Sequence, residues 1–139
     1  KYARLLARCV TPNFTVLSVA CVGLAERIDA GEIDSPATIV LLEQYLTQAQ
    51  SADVIVLGCT HYPFIAEHIR ARVADNVQII DSGAPVARYT RDVLLARNGL
   101  NQQTASGQAQ WHASQFKVGD EAIWTLFSGQ TVERIELFA

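Results

Sequence analysis

Hydrophobic and polar positions along the chain follow two periods, which predict short strands separated by amphipathic helices. Residues 54–57 are four consecutive aliphatic side chains, and this run indicates a strand buried on both faces. Beyond Gly58, Pro63 suits the first turn of a helix, and apolar residues then recur four positions apart, at Ile65, Ile69 and Val73. The residues between the two elements are Cys59, Thr60 and His61. They are therefore expected in a strand-to-helix turn, where open α/β sheets bind ligands.

The remaining pattern predicts the same alternation of elements. The predicted helices cover Lys1 to Arg8, 24–28, a segment from the Ser35-Pro36 cap, a segment from the Ser82 cap to Gly99, and a segment from Asp120 to Gly129; the predicted strands cover 14–20, 77–81, 110–116 and 132–138. Residues 100–108 are polar and are expected to form a linker. Strands that alternate with helices favour a parallel sheet with right-handed crossovers, so the predicted class is α/β.

Composition narrows the classes of protein. A chain of 139 residues, half of them hydrophobic, can bury one core. The net charge of −3 supplies no basic face, which makes nucleic acid and anionic membrane poor candidates as partners. No apolar run has transmembrane length and no signal segment opens the chain, so a cytoplasmic location is expected.

The cysteines indicate free thiols rather than a disulfide framework or a metal site. Cys9, Cys21 and Cys59 are odd in number and include no Cys-x-x-Cys pair, which disfavours a zinc ribbon or a thioredoxin-like centre. No helical spacing brings Cys59, His61 and His68 together, and no carboxylate completes a set of ligands. We therefore predict no metal.

The strand-to-helix turn favours chemistry at sulfur. Unpaired N–H groups and the positive end of the following helix would lower the pKa of the Cys59 thiol below its reference value of about 8.5. The Thr60 hydroxyl and nearby N–H groups can hold a carboxylate, and His61 can carry a proton near neutral pH. The plainer alternative is that Cys59 packs as a small core residue and His61 is merely exposed.

The segment Leu57-Gly58-Cys59-Thr60-His61-Tyr62-Pro63 resembles the second cysteine motif of glutamate racemases, in the wider aspartate/glutamate racemase superfamily. Residues 21–31 stand where that family has a Cys-Pro…Glu-x-Gly segment, and residues 79–83 look like its next strand and turn. The resemblance covers the whole chain thinly and residues 53–83 well. It implies a parallel-sheet, three-layer domain of the racemase type, present as one incomplete half of a two-domain enzyme.

The resemblance also implies a division of the chain and a set of partners. Residues 1–83 would form the second α/β domain with a truncated start, and residues 84–139 would return to complete the other, mostly missing, domain. The implied activity is a cofactor-independent, cytoplasmic racemase that makes D-glutamate for peptidoglycan precursors. Its implied partners are the amino acid glutamate and the missing amino-terminal half, and a homodimer stays open.

The family roles transfer to four positions. Cys59 would be one proton-transferring thiol, Thr60 would hold the substrate carboxylate, and His61 and Asp29 would assist proton movement. Asp29 stands where the family has a glutamate, so its carboxylate is one methylene shorter. Val22 and Glu26 also stand where the family usually has prolines.

The opposing cysteine of a two-thiol mechanism is not expected in this chain. Cys9 and Cys21 lack the Asn-Thr surroundings of the family's first motif, so residues 1–139 alone should not racemise glutamate. Two other functions stay open: an aspartate racemase-like enzyme and a non-catalytic flavodoxin-like module. The strongest rival enzyme class, phosphatases and sulfurtransferases with a cysteine at a strand-to-helix turn, fails at one residue. The tyrosine-phosphatase version needs an arginine six positions after the cysteine, where this chain has Ile65.

Overall fold

The structure, a computed structural model, describes residues 2–9, 11, 13–102, 107–117 and 120–137. The helices in these ranges are α1 (Tyr2–Cys9), α2 (Leu24–Asp29), α3 (Pro36–Leu46), α4 (Ala66–Arg70), α5 (Gly83–Ala96) and α6 (Asp120–Ser128). The strands are β1 (Val54–Val56), β2 (Gln78–Ile80), β3 (Trp111–Ala113) and β4 (Ile135–Leu137). Short 3₁₀ turns lie at Thr47–Ala49 and Tyr62–Ile65. Lys1, residues 103–106 of the predicted linker and Phe138 of the last predicted strand fall outside the described residues.

Strands β1 and β2 pair in parallel and are connected through α4. Ile55 lies opposite Ile79 and Val56 opposite Ile80, and the Leu57 N–H extends the ladder with a bond of 2.8 Å to the Ile80 carbonyl. A parallel pair needs a crossover connection, which α4 supplies. The predicted α/β class and the parallel pairing are confirmed.

Helices α2, α3 and α4 bury one face of this small sheet, because their apolar residues recur at helical spacing. The side chains at the centre of the core are 6 % exposed or less: Leu24, Ile28, Leu42, Leu57, Ile65 and Ile69. Ile55 and Ile79, from the inner face of the strands, pack against this cluster. The predicted helix behind Pro63 buries Ile65 and Ile69 as expected, although its first turn is 3₁₀. It ends at Arg70, before Val73, which is only partly buried.

The prediction that the 54–57 strand is buried on both faces is wrong. Val56 is 69 % exposed and Ile80, opposite it, is 44 % exposed. Successive side chains of a strand point to opposite faces, so the helices that bury Ile55 leave Val56 uncovered. An unbroken aliphatic run predicts the burial of both faces only where a second layer covers the sheet.

The predicted strand at 14–20 is also wrong. These residues are not assigned to a strand, and Phe14 and Leu17 are 71 % and 61 % exposed. β-propensity measures how well a side chain fits a pleated, half-buried surface. The segment gains neither ladder hydrogen bonds nor burial among the described residues, so its β-branched composition does not make it a strand.

The two predicted serine caps have different outcomes. The Ser35 hydroxyl accepts a hydrogen bond of 3.2 Å from the Thr38 N–H and caps α3, as expected. Ser82 makes no such bond, so its predicted capping role is wrong. The carboxylate of Asp81, one residue earlier, accepts from the Gly83 N–H at 2.6 Å and occupies that role instead.

Helix α5 ends in a Schellman arrangement and buries none of its residues. The Gly99 N–H bonds to the Leu94 carbonyl at 2.8 Å, and the Asn98 N–H bonds to that of Leu95 at 3.1 Å. The left-handed residue of this arrangement is Asn98, with φ of 53°, and Gly99 is the residue after it. Tyr89, midway along the helix, is 72 % exposed.

The carboxyl-terminal residues form a second parallel pair, β3 with β4, and helix α6. Helix α6 ends at Ser128, just before Gly129, so the predicted end of this helix is confirmed. Gly129 has φ of 66°, in the left-handed region. Its Phe127 ring stacks on Phe64 with centroids 4.2 Å apart and packs against the core around α2 to α4. This contact joins α6 to the 3₁₀ turn that follows Cys59. No helix in the described ranges combines the length and apolar character needed to span a membrane.

Candidate active site

The turn from β1 to α4 holds Cys59, Thr60 and His61 at the carboxyl edge of the sheet, as the sequence predicts. The Tyr62 N–H closes the turn with a bond of 3.3 Å to the Cys59 carbonyl. The Phe64 N–H then bonds to the His61 carbonyl at 3.1 Å, and Pro63 starts the 3₁₀ segment without needing a donor. These local hydrogen bonds hold the backbone of the turn from which the three side chains extend.

The imidazole of His61 lies between a thiol and a carboxylate. Its Nδ1 is 3.5 Å from Cys59 Sγ, and its Nε2 is 3.5 Å from Asp29 Oδ1 at the end of α2. The Asp29 side chain is 74 % exposed and that of His61 is 32 % exposed. Such an arrangement can pass a proton from sulfur to imidazole while the carboxylate orients the ring, provided that the long contacts tighten when a ligand binds. The structure thus brings together all three predicted proton-transfer residues.

Thr60 lies beside the same imidazole. Its Oγ1 is 3.5 Å from His61 Nδ1, and the residue is exposed. The hydroxyl therefore lies within reach of a molecule that approaches Cys59 from solvent. A hydroxyl can donate to a carboxylate, which suits the predicted binding role.

Cys21 and Tyr62 are also part of this edge, although no role for Tyr62 was predicted from the sequence. The Tyr62 hydroxyl donates to the Cys21 carbonyl at 3.4 Å, across a sequence separation of 41 residues. Burial raises the pKa of the Cys21 thiol, while the hydrogen bond with Tyr62 lowers it and the negative charge that Cys59 can carry raises it. Burial and the neighbouring Cys21 raise the pKa of Tyr62 to about 12. The tyrosine within the cysteine motif was the one signal that could have pointed to this contact.

Within the described part of the chain, no group of three or more His, Cys, Asp or Glu side chains could hold a metal ion. His68 instead contacts Asp34, with Nε2 2.8 Å from Oδ1. The side chain of Cys9 lies outside the described part.

Comparisons with known proteins agree with the motif. No protein-family model matches the chain. It is 41 % identical over 116 residues to a glutamate racemase of Herpetosiphon aurantiacus, covering 82 % of the chain and 45 % of the relative. It is 37 % identical over 137 residues to a glutamate racemase of Pseudomonas aeruginosa, covering 97 % of the chain and 46 % of the relative.

Solved structures share the fold. A glutamate racemase of Francisella tularensis, in complex with D-glutamate, superposes with a TM-score of 0.81 at 21 % identity over 99 % of the chain and 52 % of that protein. A glutamate racemase of Thermus thermophilus, in complex with β-chloro-D-alanine, gives 0.72 at 25 % identity over 92 % of the chain and 50 % of that protein. The chain spans about half the length of the curated relatives it matches. By sequence and by fold, it belongs to the glutamate racemase family.

Proposed function

We propose that this chain supplies one acid/base side of a cofactor-independent glutamate racemase, with Cys59 as the proton-transferring thiol. One observation carries the proposal: the His61 ring lies between the Cys59 thiol and the Asp29 carboxylate. It is 3.5 Å from Cys59 Sγ and 3.5 Å from Asp29 Oδ1, in a turn whose sequence resembles the cysteine motif of glutamate racemases. The D-glutamate bound to the Francisella tularensis protein supports glutamate as the substrate.

The proposed step is a proton transfer at one face of the substrate's α-carbon. The Cys59 thiolate removes the α-proton; the C–H bond breaks, an S–H bond forms, and the electron pair stays on the α-carbon, delocalised into the substrate carboxylate. In the reverse direction the thiol returns its proton to the same face. His61 can accept the proton of the resting thiol, and Asp29 orients the imidazole.

Thr60 is proposed to hold the substrate carboxylate. Its exposed hydroxyl lies next to the Cys59–His61 pair, so a carboxylate bound there would place the neighbouring α-carbon near sulfur. Holding the reacting atoms in this way lowers the entropic part of the barrier. Because the chemistry needs only proton transfer, it requires no cofactor.

Inversion also needs an acid on the opposite face of the α-carbon, and we propose that the rest of the full-length protein supplies it. Cys21 is a poor substitute because it lies on the same edge as Cys59 and burial raises the pKa of its thiol. The related racemases are about twice as long as this chain, which leaves room for a second acid/base wall.

The division of the chain at residue 83 is part of the same proposal. Residues 1–83 would contribute the domain that carries Cys59, and residues 84–139 would complete the other domain. The absence of buried residues in α5 supports this division, because a helix without a core of its own needs another surface to cover it. The contact of Phe127 with Phe64 would hold the two parts together.

The proposal is tested by measuring α-proton exchange in D₂O and D/L interconversion of glutamate. The assay is made on residues 1–139 alone, and on this chain mixed with the amino-terminal half of the Herpetosiphon aurantiacus relative. We expect no interconversion from the chain alone and recovery of exchange with the added half. Cys59→Ser should then lower the rate by roughly a hundredfold or more, as expected for the loss of an acid/base group.

Cys21→Ser is the matched control, because it changes a thiol at the same edge. We expect it to leave the exchange rate within a few-fold of the parent. Interconversion by residues 1–139 alone would refute the assignment of the second acid to the rest of the protein. Equal losses in the two serine variants would refute the specific role of Cys59.

A further inference from the structure

Tyr62 connects the two cysteine-bearing segments through both ends of the residue. Its backbone N–H donates to the Cys59 carbonyl at 3.3 Å, and its side-chain hydroxyl donates to the Cys21 carbonyl at 3.4 Å. The ring is half-buried and packs against the core cluster around α2 to α4. Because packing limits the motion of the ring, the hydroxyl holds the two backbones at a fixed separation.

The Cys21 carbonyl marks the start of α2. It also accepts the Leu24 N–H at 3.3 Å, so Tyr62 attaches to the turn from which this helix begins. The last residue of the same six-residue helix is Asp29, whose carboxylate faces His61. The turn that carries Cys59 therefore contacts both ends of α2. Tyr62 contacts the start of the helix and His61 contacts its last residue.

We propose that Tyr62 is a positioning residue of the candidate active site. By tying the Cys59 turn to the start of α2, its hydroxyl sets the separation between His61 and Asp29 and so determines how strongly the carboxylate acts on Cys59 through the imidazole. This inference rests on the proposed function for the identity of the site. Its test measures thiol chemistry rather than racemisation, so the two can fail separately.

Tyr45 provides a matched control. Its hydroxyl donates to the Val22 carbonyl at 2.7 Å, so it holds the residue next to Cys21. Tyr45 lies on α3, however, and belongs to neither the Cys59 turn nor α2. Removing its hydroxyl loosens the same segment without cutting the connection to the turn. The two tyrosines thus separate a general loosening of the segment from the loss of the specific tie.

The experiment measures how much Asp29→Asn changes the alkylation rate of Cys59 by iodoacetamide near neutral pH. The rate is followed by peptide mapping, which distinguishes Cys59 from Cys9 and Cys21. The effect of Asp29→Asn is compared in the parent chain, in Tyr62→Phe and in Tyr45→Phe. Both phenylalanine variants keep the ring, and circular dichroism checks that each remains folded.

In the parent, we expect Asp29→Asn to slow Cys59 alkylation about two- to fivefold, the range for an exposed charged pair. With Tyr62→Phe the effect should shrink to less than about 1.5-fold, because residues coupled through a shared backbone shift have non-additive effects. With Tyr45→Phe it should keep its parental size. This pattern would establish that the Tyr62 hydroxyl positions Asp29 relative to His61.

The other outcomes overturn the inference in different ways. An equal effect of Asp29→Asn in all three backgrounds overturns the role of Tyr62 and leaves the Cys59–His61–Asp29 line intact. Equal losses of the effect in Tyr62→Phe and Tyr45→Phe overturn the specific tie in favour of a general loosening. No effect of Asp29→Asn in the parent overturns this inference together with the proposed assistance by Asp29, while Cys59 remains testable by proton exchange.

Discussion

Substitution of Ser35 by alanine should destabilise the chain by more than the loss of an ordinary helix cap. The Ser35 hydroxyl accepts from the Thr38 N–H at 3.2 Å, and it also lies 2.9 Å from the Thr38 hydroxyl. The Thr38 side chain is 0 % exposed. Alanine at position 35 therefore removes a cap and leaves a buried hydroxyl without its partner.

The two losses can be estimated separately. Removal of a serine cap costs about 1 kcal/mol. An unpaired buried hydroxyl costs about 1–3 kcal/mol, so Ser35→Ala should lower the free energy of unfolding by about 2–4 kcal/mol. Adding Thr38→Val removes the unpaired hydroxyl while keeping a side chain of similar shape. The double variant should therefore regain about 1–3 kcal/mol relative to Ser35→Ala.

Urea denaturation followed by circular dichroism measures these differences. Ser82→Ala is the matched control, because Ser82 also precedes a helix but makes no capping bond. We expect that variant to change the free energy of unfolding by less than about 0.5 kcal/mol. Equal destabilisation by Ser35→Ala and Ser82→Ala would contradict the cap assignment. A double variant no more stable than Ser35→Ala would contradict the cost assigned to the Thr38 hydroxyl.

Other predictions concern the tyrosine–thiol edge and the turn after α2. The pKa of Tyr62 is raised to about 12 in the folded chain, whereas in the unfolded chain it is about 10. The unfolded state therefore loses the tyrosine proton first, so the stability contributed by neutral Tyr62 is complete below pH of about 10 and is lost as the pH rises to about 12. Tyr62→Phe should remove this alkaline loss of stability, which we put at about 1–2 kcal/mol after solvent screening. Urea denaturation at several pH values measures the loss, and an unchanged decline in the variant would contradict the assignment. Cys59→Ala should shift the pKa of Cys21 downward, because it removes a charge that raises it, and the pH profile of Cys21 alkylation should move to lower pH rather than stay in place. Gly31→Ala should cost about 1–2 kcal/mol in unfolding experiments because Gly31 has φ of 76°; Gly107→Ala, at an open position, is its control, and equal costs would contradict a backbone origin.

Local sequence signals predicted the elements that local forces determine. The Ser35-Pro36 cap located the start of α3, and the spacing of Ile65 and Ile69 located the buried face behind Pro63, because each depends on residues close in the chain. The position of Cys59, Thr60 and His61 in one turn was predictable for the same reason. The motif also indicated the family before any comparison of whole chains.

Features that depend on contacts between distant parts of the chain could not be predicted from local sequence signals. The exposure of Val56 depends on whether a second layer covers the sheet, and the aliphatic run carries no information about that layer. The contact of Tyr62 with Cys21 spans 41 residues and exists only once α2 has packed. Asp81 and Ser82 are both good cap residues, and the backbone geometry of the folded turn decides between them. Side-chain identity alone cannot rank such neighbours.

Because α5 buries none of its residues fully, the chain is expected to open unevenly. A helix of 14 residues without a buried face has little beyond its own hydrogen bonds to stabilise it, and isolated helices of this length are marginal in water. Its amide protons should exchange with solvent through local fraying, whereas those of α3, anchored by Leu42, should exchange only when the core unfolds. A protease should therefore cut first within α5, long before global unfolding.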